Sequence, residues 1–163
     1  MSTKIISQDH HPTLRHEERE AIGAELQDVL VVLIDLSLTG KQAHWNVVGP
    51  HFRSLHLQLD ELIEFWRDAA DSVAERAVAL GYLPDGRVGT VASRTELESL
   101  PTGALADRDV VGAFTRLLTD AIGAIRQRMD RLEDVDTVTA DLLHGVVAKL
   151  EENLWMIRVQ AAA

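Results

Sequence analysis

The stretch Asp35 to Leu62, DLSLTGKQAHWNVVGPHFRSLHLQLDEL, decides the fold, because one helical pattern ends in it and another begins. Gly49-Pro50 separates the two, since proline cannot continue a helix and restricts the residue before it. Upstream, Ile22, Leu26, Val29, Leu30, Leu33, Ile34 and Leu38 recur at spacings of three and four, which predicts a helix from about Arg15 to Asn46. Gly40 interrupts that pattern, but Lys41, Gln42 and Ala43 are good helix formers and carry it onward. Downstream, Phe52, Leu55, Leu59, Leu62, Ile63, Trp66, Ala70, Val73, Ala77 and Leu80 return to one side, predicting a second helix roughly 40 Å long.

Gly81 is placed to stop this second helix, and Pro84, Gly86 and Gly89 mark the next segment as a connection. That connection reaches Pro101 or beyond, with a short helix expected around Thr90 to Ser93. A third helix fits Asp107 to Glu133 and a fourth fits Thr137 to Arg158. Asp107 or Asp109 suits the first turn of one, and Asp136 or Thr137 the start of the other. Trp66 and Trp155 lie on apolar stripes and are expected to pack in the core. Short, long and short connections between four amphipathic helices describe an all-α four-helix bundle in which the long connection crosses over to join parallel neighbours.

The 163 residues are 46% hydrophobic, enough for one domain, read as residues 15–163 behind a flexible tail of residues 1–14. There is no cysteine, so any metal must bind through nitrogen and oxygen, and disulfides and thiol nucleophiles are excluded. With 26 acidic against 16 basic side chains the formal charge is -10, which opposes a broadly DNA-coating surface and attracts cations. No run of about 18 apolar residues occurs, and the start, MSTKIISQDHHPTLRHEE, has no secretory apolar segment. A cytoplasmic protein without membrane contact is expected.

The chemistry-bearing residues gather around the same stretch. His56 and Asp60 are four residues apart on the second helix, Asp71 and Glu75 repeat that spacing, and eleven residues separate Asp60 from Asp71. Eleven residues are close to three turns, so all four point in similar directions. Along the axis, however, Asp60 and Asp71 stand roughly 16 Å apart, too far to ligate one ion. An antiparallel copy related by a twofold axis would set His56 and Asp60 opposite Asp71 and Glu75 of its partner, giving two identical sites. His44 can join each site from the end of the first helix. Such a nitrogen and oxygen set suits iron, manganese or zinc, while the spacing alone, before any resemblance, favours an ordinary charged interface or surface pairing over a metal site. Trp45 beside His44 is either packing or an auxiliary electron donor.

Asp35 to Glu75, together with DAADSVAERAVALG (68–81) and ADLLHGVVAKLEENLWMI (140–157), resembles the Dps family of mini-ferritins, DNA-binding proteins from starved cells. The resemblance covers nearly all of the chain beyond the tail. It implies a ferritin-like four-helix subunit with a short helix in the crossover, assembled as a hollow homododecamer. It also implies a two-iron ferroxidase centre at the twofold interface, with His44, His56 and Asp60 from one subunit and Asp71 and Glu75 from its partner. Ferrous iron would be oxidised there, preferentially by hydrogen peroxide rather than dioxygen, and ferric mineral stored inside, limiting oxidative damage. Asp120, Asp130, Glu133 and Asp134 are candidates for a cation-conducting pore or nucleation surface, or else a solvated face. Relatives with lysine-rich extensions bind DNA. Here the beginning offers only Lys4, Arg15 and Arg19 among several acids, so weak or absent DNA binding is expected, with nucleoid association left open. His10, His11 and His16 are either solvent-facing or an extra divalent-ion site. The alternatives are a DNA-protecting or structural shell with little ferroxidase activity, and a ferritin-like bundle using another divalent metal.

Overall fold

The computed structural model describes residues 13–162. His10, His11 and most of the expected tail lie outside the described residues, whereas His16 is the exposed first residue of the first helix. The elements run in order as α1 (His16–Asn46), β1 (Val47–Val48), α2 (Phe52–Ala79), α3 (Val88–Arg94), β2 (Leu105–Ala106), α4 (Asp107–Leu132), α5 (Thr137–Arg158) and a closing 3-10 turn (Val159–Ala162). α3 is the short helix of the crossover.

Contacts between helices fix their directions. Glu25 and Asp28 near the start of α1 meet Arg131 and Arg128 near the end of α4, so these helices are antiparallel. Arg76 at the end of α2 meets Asp136 before α5, while Gln58 near the start of α2 meets Gln160 beyond α5. β1, directly after α1, pairs in parallel with β2, directly before α4, with Val47 opposite Leu105. The start of α4 therefore lies at the end of the bundle where α1 finishes and α2 begins. α2 and α4 are parallel, as a single crossover requires. The two-residue strands are an addition to the expected helices.

The core is built from the apolar stripes. Trp66 and Phe114 are fully buried with ring centroids 6.0 Å apart and planes 5° from parallel, and the Trp66 indole N–H donates to Asn153 Oδ1 at 3.2 Å. That hydrogen bond lets a large ring with one polar atom sit in the centre. Trp155 does not join it: 57% of its surface is exposed, because it falls on the outer side of α5. Leu38 and Phe52, members of the apolar stripes, are exposed as well.

Gly40 is explained by packing. A Cβ built there would lie 2.7 Å from Ile63 Cγ1 and 2.8 Å from the Trp66 ring, so α2 crosses α1 where α1 has no side chain. The crossover is held to α1 by the Gln27 amide, which donates to the Asp85 carbonyl and accepts the Asp85 N–H. Asp85 itself accepts from Arg87 and Thr90, which keeps its carboxyl far below the usual range.

Candidate metal centre

The turn between α1 and α2 builds the site. Gly49 has a φ of +129°, a region that favours glycine, and a Cβ there would meet the Asp107 carboxylate at 2.7 Å. Asp107, at the start of α4, accepts the His51 N–H at 2.7 Å and the Arg108 N–H at 2.8 Å. The His51 bond is the main reason its carboxyl is held below the ordinary value, against the effect of burial. Asp107 thus satisfies an N–H of its own helix and also fixes the turn that brings the end of α1 against the start of α2.

Across that turn the two histidines clasp each other. Nδ1 of His44 lies 2.9 Å from the His56 carbonyl, and Nδ1 of His56 lies 2.9 Å from the His44 carbonyl. A carbonyl only accepts, so each Nδ1 carries a proton, which leaves Nε2 of each ring as the nitrogen available to a metal. His44 is in the last turn of α1, where carbonyls have no intrahelical partner, and the His56 ring supplies one. The rings stack with centroids 3.7 Å apart and planes 20° from parallel.

Asp60, one turn along α2 from His56, completes the group. Ligand atoms of His44, His56 and Asp60 lie within 4.8 Å of one another, and among the described residues no other three histidine or carboxylate groups come so close. His44 is buried, His56 is intermediate, and the Asp60 side chain is 45% exposed, so the group opens to the outside of the subunit. Asp60 Oδ1 lies 3.3 Å from His44 Nδ1 and forms an ion pair with Lys41. Chiefly that hydrogen bond from Lys41 holds the Asp60 carboxyl below its ordinary value, with the charges of His44, Lys41 and His56 acting in the same direction. Two imidazole nitrogens and a carboxylate fit a first-row divalent ion, but three ligands on one open side leave it incompletely coordinated.

A family model described as a ferritin-like domain matches residues 23–162. The chain is 38% identical over 147 residues to DNA protection during starvation protein 2 of Deinococcus radiodurans, covering 90% of this chain and 61% of that longer relative. It is 34% identical over 151 residues to the DNA protection during starvation protein of Mycolicibacterium smegmatis, covering 90% of this chain and 80% of the relative. The solved structure of Dps from Microbacterium arborescens in the high iron form superposes with a TM-score of 0.88 at 31% identity, covering 93% of this chain and 99% of that one. The chain belongs to the Dps family of ferritin-like proteins.

Within this Dps subunit the other expected site residues stand apart from the cluster. Asp71 and Glu75 are exposed farther along α2, as the helical rise requires. Trp45 follows His44 but is 69% exposed. Asp120 lines a cavity of about 290 Å³ with Asp28, Arg94 and Arg128 between α1, α3 and α4. Asp130, Glu133 and Asp134 gather around the end of α4, about three turns farther along, and Glu133 is 3.0 Å from His144 Nε2. The four acids therefore form two separate groups in the subunit. Lys41 and Asp107 are the neighbours of the site that the ligand spacing along α2 does not reveal. Lys41 lies three residues before His44 on α1, and this near-turn spacing is the one available signal for it.

Proposed function

We propose that this Dps-family chain is a ferroxidase and iron-storage subunit, which oxidises ferrous iron, preferentially with hydrogen peroxide, and retains ferric mineral inside a homododecamer. The convergence of ligand atoms of His44, His56 and Asp60 to within 4.8 Å of one another carries this reading. The two Nε2 atoms and the Asp60 carboxylate bind incoming iron, and Asp71 and Glu75 of a twofold-related copy supply the missing oxygen ligands. Carboxylates favour the ferric product by neutralising its higher charge, while imidazoles hold the ferrous form. Each peroxide takes one electron from each of two ferrous ions and, with two protons, leaves as two waters. Oxidation in pairs avoids the one-electron cleavage that would release hydroxyl radical.

Other groups take supporting roles in this reading. Trp45, exposed beside His44, would serve as an electron donor if oxidation goes astray. Asp120, Asp130, Glu133 and Asp134 belong to the acid excess that draws cations toward the shell. No helix among the described residues is long and apolar enough to cross a membrane, and a cytoplasmic location, with nucleoid association only through weak contacts, goes with the proposal.

The protein names of the two relatives favour a second reading, a shell whose main work is DNA protection. The formal charge of -10 opposes it, because phosphate binding needs clustered cations. Apo-protein mixed anaerobically with ferrous iron and then given peroxide should oxidise close to two irons per peroxide, faster than buffer. Oxidation no faster than in buffer, together with salt-resistant DNA retardation, would establish the second reading instead.

A further inference from the structure

The exposed face of α2 carries two charges that the metal centre does not use. Glu64 and Arg67 lie between Asp60 and Asp71, and at 100° per residue both fall on the arc that holds the site residues. Both are exposed, and neither makes an ion pair or hydrogen bond among the described residues. This is unusual for the arginine, since Glu64 precedes it by three residues and Asp71 follows it by four, the spacings at which helix side chains usually pair. Arg67 also divides the face into two depressions, one reaching Lys41 and Asp60, the other reaching Ile34 and Asp71.

The shared-site reading of the proposed function fixes where an antiparallel copy must sit. Bringing His56 opposite Glu75 and Asp60 opposite Asp71 requires one axis midway between residues 65 and 66. That same axis sets Glu64 of one subunit level with Arg67 of the other, and Arg67 level with Glu64. We propose that Glu64 and Arg67 form two reciprocal ion pairs across the twofold axis, and that these pairs set the register in which both metal sites are completed. The occupant of this face is a second copy of the chain, selected by charge complementarity in a single register. Displacement by one helical turn would leave Glu64 and Arg67 unmatched and separate both halves of each metal site.

The pairing can be tested with charge reversal and mixing. In E64R alone, four guanidinium groups crowd the axis, and in R67E alone four carboxylates do. Each variant should retain helical content but pair at least tenfold more weakly by native mass spectrometry, with partial recovery at high salt. An equimolar mixture of E64R and R67E chains restores opposite charges at both contacts and should recover pairing and cobalt(II) binding with carboxylate and imidazole ligands. Glu64 and Arg67 pairing only within their own helix would predict no such recovery. E64R assembling like wild type, or a mixture no better than either variant alone, would overturn the proposal. Co-assembly of H56A with D71A separates the two layers, because it regenerates one intact site per pair through unaltered Glu64 and Arg67. Success there, with E64R assembling like wild type, rejects only the register role, whereas failure there rejects the shared site on which that role rests.

Discussion

Lys41 occupies the place of a cation beside Asp60, and its ammonium group would compete with a metal ion for that carboxylate. Lys41→Gln removes the competitor while retaining a polar side chain, and should tighten cobalt(II) or ferrous binding about two- to fivefold by titration, as expected for a partly exposed pair. Spacing along α2 puts His56 and Asp60 on one face, but it cannot show Lys41, whose approach depends on how α1 crosses α2. Far from the site, Asp136 illustrates a different use of charge. Burial would raise its carboxyl, yet hydrogen bonds from Thr139 and Arg76 outweigh that effect and hold it below its ordinary value. A carboxyl with a depressed folded pKa stabilises the fold above its unfolded value, and that contribution is lost as pH falls through the folded value. Asp136→Asn should therefore cost about 1–2 kcal/mol near neutral pH by urea unfolding, with the gap from wild type closing below about pH 4.

Helices α1 and α2 form the platform for the proposed centre, and Gly40 sets how closely they approach. Gly40→Ala forces Ile63 or Trp66 to move and should destabilise the fold by about 1–3 kcal/mol in thermal unfolding, despite the better helix propensity of alanine. The same change should weaken metal binding, since Ile63 and Asp60 share a helix. The long helices are legible in the sequence because a 3.6-residue period persists over many turns, and the observed α2 and α5 closely match the expected spans. Periodicity does not say which apolar residues the chain covers by itself, so it assigns Trp155, Leu38 and Phe52 to buried stripes although they are exposed. The strands β1 and β2 are illegible because two residues carry no period; Asp107 and Gly49 show their purpose only once α4 is seen against the α1–α2 turn.

At the scale of the whole molecule, the proposed centre needs more than one subunit. A single subunit gathers His44, His56 and Asp60 but leaves Asp71 and Glu75 exposed farther along the same helix, beyond reach of the same ion. In the proposed function the acid excess serves as a source of ligands and of cation attraction, and a twofold-related copy supplies the other half of each centre. Anomalous diffraction at the iron edge, from crystals of the iron-loaded assembly, locates the ions directly. Paired iron sites are expected, bounded by His44, His56 and Asp60 of one subunit and by Asp71 and Glu75 of its twofold neighbour. Iron held by one subunit alone, or absent from this interface while bound elsewhere, would contradict the shared centre.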